Sequence, residues 1–532
     1  MATAVLLDTV SIQRYIFGSN KLKENIGASR LIQWIFVDPL RKTIQEIFPE
    51  IPENLCKDIF KDWEKEVPLY TVLKPKLPSQ IKTPFEVGYI GGGNALLFFQ
   101  DQKKAKDFVT QWTQRLLVEA PGIITAVSME EMDDKDFWNK DKKQSLFDGL
   151  SKNKCKFIPQ TIIPRHGVTA LCQRSGYSQE VLYKDPEPTG PRYVSCVTGS
   201  KLAAAEEANT QLAKDKDFKD ILGNSFVFTD ELDRLGQSKG EDSHIAIVHI
   251  DGNDMGQRFM DTKSLQETRS LSKQIREITK TTFKCMLCTI VDQEKALAAS
   301  LGLKDNSFPQ DRTGKFVLPL RPIIIGGDDV TFVAEGRLGL YFAELFLKEF
   351  EKQSITLKPS LSACAGVAIT KTKYPFYRGY VLAEQLCGSA KKRRREENSS
   401  GSWIDFHVAY GGFSGDIEEI RQRHYTAPQG KLCLRPYKIG DSGEYGFDTL
   451  IGNKKRLLAH LSPKIKEMRQ VLYESESRTQ EFIAALKTRE TPIDVIFEDL
   501  QDYRQNLWKD KKTPFFDMIE ILDFYPDLEE SK

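Results

Sequence analysis

Two stretches of the chain repeat one order of apolar runs and polar breaks. The first opens with Ala4-Val5-Leu6-Leu7, a run that ends at Asp8. Helical spacing follows from about Ile12 to Phe48, with Gly18 and Gly27 read as breaks or turns. A proline-rich connection spans Pro68 to Pro84. Glu86–Ile90 and Ala95–Phe99 then flank Gly91-Gly92-Gly93-Asn94, the pattern of a β-hairpin with a glycine-rich tip. A helix is predicted from Asp101 to Glu119 and a strand from Gly122 to Met129.

The same order returns later. Ile245–Ile250 is a strand ending at Asp251, and helical spacing covers about Ser264 to Ala299. Pro322–Ile325 and Val330–Val333 flank Gly326-Gly327-Asp328-Asp329, a helix is predicted over Arg337–Lys352, and a strand over Leu361–Ile369. The shared order is strand, Asp, helix, strand, glycine pair, strand, helix, strand. It predicts an internal duplication of a βαββαβ, ferredoxin-like layer and hence an α+β fold. The expected organisation is a first ferredoxin-like domain over 1–150, a connecting insert over 151–235, and a second such domain over 236–440. A helical C-terminal domain over 441–532 completes it, with Leu457, Leu458, Leu461, Ile465 and Met468 at helical spacing.

Composition narrows the class. The 532 residues suffice for several cores, and 40% hydrophobic with 28% charged residues is ordinary for a globular protein. Lys+Arg at 76 against Asp+Glu at 75 leaves a net charge of +1, which argues against bulk-charge coating of nucleic acid, leaves a local basic channel open, and offers no support for the duplex channel of a template-dependent polymerase, a further rival reading. No apolar run is long enough for a bilayer, and Asp8 comes too early for a signal peptide. Nine scattered cysteines then read as reduced thiols, and the expected location is cytoplasmic.

The repeat also places chemistry. In a ferredoxin-like sheet the first strand lies beside the following hairpin, so Asp251 meets Asp328 and Asp329 despite their distance in sequence. Three carboxylates at one sheet edge repel unless a cation joins them, and hard oxygen ligands suit Mg²⁺ or Mn²⁺. Two such ions about 3.5–4 Å apart are what nucleotidyl transfer requires. Gly326 and Gly327 allow a sharp turn and a close approach of phosphate, and the Gly252 carbonyl could complete an ion's shell. A plain hairpin turn also favours Gly and Asp, but not an upstream Asp251-Gly252-Asn253-Asp254 at the end of a neighbouring strand.

Several segments resemble the large-subunit (Cas-ten) family of type III CRISPR complexes, whose palm domains are related to GGDEF cyclases and polymerases. They are Asp8–Phe17 with Lys21–Arg30, Tyr89–Asn94, His249–Gly256, Gly326–Asp329, Ala363–Ile369, Tyr374–Phe376, Ala390–Lys392 and Ile404–His407. The resemblance spans about residues 1–440 and makes the two ferredoxin-like domains palms. It implies that Asp251, Asp328 and Asp329 are catalytic and, with Gly252, hold two Mg²⁺ or Mn²⁺ ions. Lys391 would reach a triphosphate, and Asn253, Asp254, Gly326 and Gly327 would border the nucleotide. The implied reaction joins NTPs, with ATP favoured, into cyclic or linear oligonucleotide messengers of antiviral defence. The first palm departs from the pattern, because its tip Gly91-Gly92-Gly93-Asn94 has no carboxylate; it is expected to present a second nucleotide. Larger relatives begin with an HD nuclease domain, whereas no His-Asp dipeptide occurs among the six histidines here. A trimmed or stand-alone member is therefore expected. Rival readings are a CRISPR effector subunit that works with guide and target RNA, and a regulator that binds nucleotide without turnover. A homo-oligomer is also open.

Other features have plainer readings. Arg393–Arg395 are expected in a solvent-facing loop, and Cys285-Met-Leu-Cys288 reads as core thiols on a helix. Strand alternation assigns His249 to packing rather than to a place beside the Asp251 carboxylate. Cys155, Cys172 and Cys196 with His166 have spacings too irregular to favour a zinc site.

Overall fold

Near-continuous apolar runs such as Ala2–Val10 and His244–Gly252 form central strands because both faces of each are covered. The computed structural model describes residues 2–65, 68–73, 75, 77–132, 138–156, 167–184, 190–235, 243–411, 415–488 and 498–528. It divides into two compact units, one of residues 1–219 with 254–277, the other of 220–253 with 278–532.

The first unit contains β1 (Ala2–Val10), α1 (Leu22–Trp34), β2 (Phe85–Gly91), β3 (Asn94–Phe99), α2 (Gln102–Glu119) and β4 (Ile124–Met132). Its sheet has the order β2-β3-β1-β4 with antiparallel neighbours, which is the ferredoxin-like arrangement. A small hairpin of β5 (Val181–Lys184) and β6 (Pro191–Val194) leads into α3 (Cys196–Lys214). Gly18 ends a short helix as expected. Gly27 does not break one: it lies inside α1, where an added Cβ would stand 1.7 Å from the Lys201 carbonyl oxygen. The glycine is there because α1 and α3 pack backbone to backbone.

The second unit repeats the plan with β7 (His244–Gly252), α4 (Leu265–Asp292, whose first part belongs to the first unit), β8 (Leu320–Gly326), β9 (Asp329–Glu335), α5 (Gly339–Gln353) and β10 (Ala363–Lys371). After α6 (Phe376–Glu396) its sheet gains β11 (Trp403–Val408) and β12 (Tyr437–Lys438), giving the order β8-β9-β7-β10-β11-β12. The two hairpins share more than order. Pairing of β2 with β3 shifts register between Val87 and Tyr89, and that of β8 with β9 between Pro322 and Ile324. Each irregularity stands at the same distance before its glycine tip, as duplication requires.

Among the described residues four α-helices follow, α7 (Phe447–Leu461), α8 (Ile465–Tyr473), α9 (Glu476–Thr488) and α10 (Phe515–Glu520). Leu457, Leu461 and Met468 are buried, while Leu458 and Ile465 are only partly covered. Arg435 ties α10 to the sheet: its buried guanidinium pairs with Asp517 at 3.0 Å and with Glu520, and donates to the Phe406 carbonyl at 2.7 Å. Arg393–Arg395 are the last turn of α6 rather than a loop. Arg393 covers the Tyr445 ring at 4.4 Å and pairs with Glu397. Cys285 and Cys288 sit on α4 as expected but are half-buried, not core. Among the described residues no helix is long and apolar enough to cross a membrane.

Candidate functional site

The end of β7 and the tip of the β8–β9 hairpin are neighbours because β9 pairs with β7 from Glu335 opposite Ile245 to Asp329 opposite Asp251. Gly326 and Asp329 close the hairpin through Gly327, whose φ of 58° a side chain would resist. The Gly252 amide donates to the Asp328 carbonyl at 3.1 Å, and Thr279 on α4 donates to the Gly327 carbonyl at 2.6 Å. The tip is therefore held on two sides. Added Cβ atoms on Gly326 or Gly327 would meet nothing within 4 Å, so the space beyond the tip is open.

Asp251, Gly252, Gly326, Gly327, Asp328, Asp329 and Lys391 thus come together in the second unit. Lys391, two turns along α6 from Glu384, extends its ammonium group to Asp251 Oδ2 at 2.6 Å and to the Gly252 carbonyl at 2.9 Å. Burial works against the Lys391 charge, yet the Asp251 carboxylate more than offsets it and raises the lysine's pKa. The other two carboxyls have less support. Burial, with Asp251 and Asp329 close by, pushes Asp328 up to about 7. Burial, Asp251 and Glu384 push Asp329 up to about 8. Asp329 Oδ1 is sealed from solvent without a hydrogen-bond partner.

His249 stands beside Asp329, contrary to the packing role expected from alternation. Residues 249 and 251 are two apart on one strand, so they share a face. Its Nδ1 is 3.1 Å from Thr331 Oγ1 and 3.5 Å from Asp329 Oδ1, and its ring meets Tyr380 edge-on at 5.6 Å. Burial lowers its pKa, so the ring stays neutral beside Asp329 and does not neutralise it. Parity with Asp251 was the signal for His249; the seven-residue spacing from Lys391 was the signal for Glu384.

Asn253 is buried and serves the scaffold. Its side chain donates to Ser362 Oγ at 2.9 Å and accepts from the Cys364 thiol at 3.2 Å. Asp254 follows with a left-handed φ of 58°. In the other unit, Gly91–Asn94 form the β2–β3 tip, where Asn94 lies opposite Asp8. Asp8 pairs with Lys154, and burial raises its pKa. A cleft of about 480 Å³ borders Gly91–Gly93, walled by Phe36, Phe60 and Trp63 with Arg41 and Lys57 at its edge. In the insert, Cys172 is buried, Cys196 half-buried and Cys155 exposed; His166 lies outside the described residues.

Among the described residues no three His, Cys, Asp or Glu side chains converge as they stand to hold an ion. At the carboxylate cluster the Asp251 carboxylate is engaged by Lys391. The donor set nevertheless fits a hard divalent ion: three carboxylates, a backbone carbonyl, and a buried oxygen on Asp329 with no donor of its own. The strand-end aspartate, the glycine–aspartate tip and the α6 lysine coincide with a known sequence family. The description of the Cas10/Cmr2 second palm domain matches residues 244–400. Residues 244–400 are similar to the second palm domain of Cas10/Cmr2.

Solved structures similar in fold include the apo Csm1-Csm4 cassette, at 11% identity and a TM-score of 0.47 over 98% of this chain and 70% of that one. The cassette in complex with cA3 gives 11% and 0.48 over 98% and 69%. Csm1 of T. onnurineus gives 13% and 0.49 over 98% and 69%. No curated protein matches the chain in sequence. The matched segment carries all of the clustered carboxylates, with Lys391 near its end.

Proposed function

We propose that the chain is a metal-dependent nucleotidyltransferase that joins NTPs, ATP foremost, into cyclic or linear oligonucleotides with release of pyrophosphate. The observation that carries this reading is the register of Asp251 with Asp329, which sets Asp328, Asp329 and Asp251 at one open sheet edge with too little positive charge of the chain's own. Asp251, Asp328, Asp329 and the Gly252 carbonyl would hold two Mg²⁺ or Mn²⁺ ions, which supply activation of a hydroxyl and charge neutralisation at the departing pyrophosphate. The open space over Gly326 and Gly327 admits phosphate oxygens close to the backbone. Lys391, displaced from Asp251, turns to the triphosphate as a mobile point charge. His249, bonded to Thr331, packs beside Asp329, and Thr279 fixes the tip. In the first unit, Gly91–Asn94 and the neighbouring aromatic cleft suit a second, non-reacting nucleotide, with its base on Trp63 or Phe60.

The test is incubation of the purified chain with each NTP and Mg²⁺ or Mn²⁺, beside an Asp328→Ala/Asp329→Ala variant, with products read by mass spectrometry. Oligonucleotide and pyrophosphate from the unmodified chain alone support the reading. A second reading rests on the Lys391–Asp251 pair, which closes the cluster on itself: the chain works as a subunit of a type III RNA-guided effector and needs target RNA to turn over. Product formed only when effector subunits and target RNA are added would select it. Nucleotide binding without product under both conditions would leave a non-catalytic regulator.

A further inference from the structure

The insert of the first unit holds a four-residue cluster with a recognisable layout. Cys172 and Ser175 stand in a tight turn with two residues between them, and after residues 176–194 Ser195 and Thr198 repeat that spacing. Zinc folds space their four ligands this way, in two such pairs roughly 15–20 residues apart. The local structure matches the spacing. Leu171 bridges to Ser178, the Cys172 amide donates to the Tyr177 carbonyl at 2.8 Å, and Gly176 reverses the chain with a φ of 71°. The hairpin β5–β6 follows, and Ser195 caps α3, accepting from the Thr198 amide in the first helical turn. One pair thus lies on a turn and the other at a helix start.

The four side chains meet. Ser175 Oγ is 2.8 Å from Ser195 Oγ, and Ser195 Oγ donates to Thr198 Oγ1 at 3.2 Å. The Cys172 thiol donates to Thr198 Oγ1 at 3.7 Å, so the four side chains form one connected hydrogen-bond network. Cys172, Ser195 and Thr198 are each no more than 2% exposed. A set of one thiol and three neutral hydroxyls does not fit zinc, which takes thiolate, imidazole or carboxylate. Hydroxyls do satisfy one another as donors and acceptors, which thiols do poorly.

We infer that Cys172, Ser175, Ser195 and Thr198 occupy the four ligand positions of a zinc-type frame in which a network of hydrogen bonds has replaced the ion. The frame keeps the geometry of a metal site, and the fold of the insert is independent of metal.

Two measurements test this on the full chain. The purified protein should contain no stoichiometric zinc by elemental analysis, and a chelator should leave its melting temperature unchanged. The variant Ser175→Cys/Ser195→Cys/Thr198→Cys, produced with zinc supplied, should bind one metal ion per chain. With Co²⁺ it should acquire the visible bands of a tetrahedral thiolate site, and its melting temperature should drop by several degrees when the ion is chelated. Stoichiometric zinc in the unmodified chain would overturn the inference. So would a folded triple variant that takes up no Co²⁺, or one that cannot fold even with zinc present.

Discussion

Lys391 and Asp251 hold one another at 2.6 Å, joining the end of α6 to the end of the central strand of the second sheet. The lysine occupies the position at which a cation would relieve the carboxylate cluster, so lysine and ion compete for Asp251. Replacing Lys391 with methionine should therefore tighten divalent-ion binding in the absence of nucleotide. The same variant should raise KM for NTP roughly 10–100-fold, the worth of one charged hydrogen bond at about 1.5–3 kcal/mol. Mn²⁺ titration followed by spectroscopy, set beside steady-state kinetics, checks both directions. A parallel loss of ion and nucleotide affinity would mean that Lys391 supports the fold of the site instead.

The raised carboxyls predict a pH dependence with a definite sign. Burial and neighbouring carboxylates lift Asp328 to about 7 and Asp329 to about 8 from an ordinary 3.8. Between 3.8 and about 8 the folded chain binds more protons at these positions than the unfolded chain does. Their contribution to stability is therefore full below the unfolded value and falls as pH rises through the folded values. In chelator, the melting temperature of the unmodified chain should fall relative to that of Asp328→Asn/Asp329→Asn as pH rises from 5 toward about 8.5. Saturating Mg²⁺ should reduce the difference. Equal pH profiles for the two proteins in chelator would refute the assigned repulsion.

Much of this site is legible in the sequence, because short apolar runs around glycine pairs mark hairpins, and the repeated order sets which strand each hairpin adjoins. Asp251, Asp328 and Asp329 fall out of that order alone. What stayed hidden was set by packing between elements distant in sequence. Gly27 looked like a break, because local pattern does not show that α3 crosses at that position. Arg393–Arg395 looked like a loop because their composition is solvated, while the helix is continued by the cover Arg393 finds on Tyr445. The frame around Cys172 was missed for a chemical reason: hydroxyls at ligand positions carry no metal-binding signature.

Gly366 links packing to the lysine. It lies on β10 beneath α6, where an added Cβ would stand 1.9 Å from the Ala383 carbonyl oxygen and 2.4 Å from the Cys387 amide nitrogen. Neither backbone atom can move without shifting α6. Gly366→Ala should cost about 1–3 kcal/mol of stability, as overpacked sites do. It should also lower transferase activity more than Gly388→Ala, since Gly388 on the same helix has open space around its Cβ position. Thermal melts and product yield on both variants separate a displaced Lys391 from a general loss of helix.

Arg435 is the last critical residue, and the carboxylates around it decide its effect. Asp517 and Glu520 are both buried, and both depend on this guanidinium together with the Tyr437 and Tyr425 hydroxyls, which donate at 2.7 and 2.5 Å. Burial raises the pKa of each carboxyl and Arg435 opposes that rise. Arg435→Met leaves two buried acids without their cation and should cost about 3–5 kcal/mol, the usual effect of breaking a buried pair from one side. Removing charge from both sides, as Arg435→Met/Asp517→Asn/Glu520→Gln, should recover part of that loss, because no uncompensated charge remains. Denaturant unfolding of the two variants measures the recovery. If the triple variant is no more stable than the single one, the network contributes through hydrogen-bond geometry and not through charge balance.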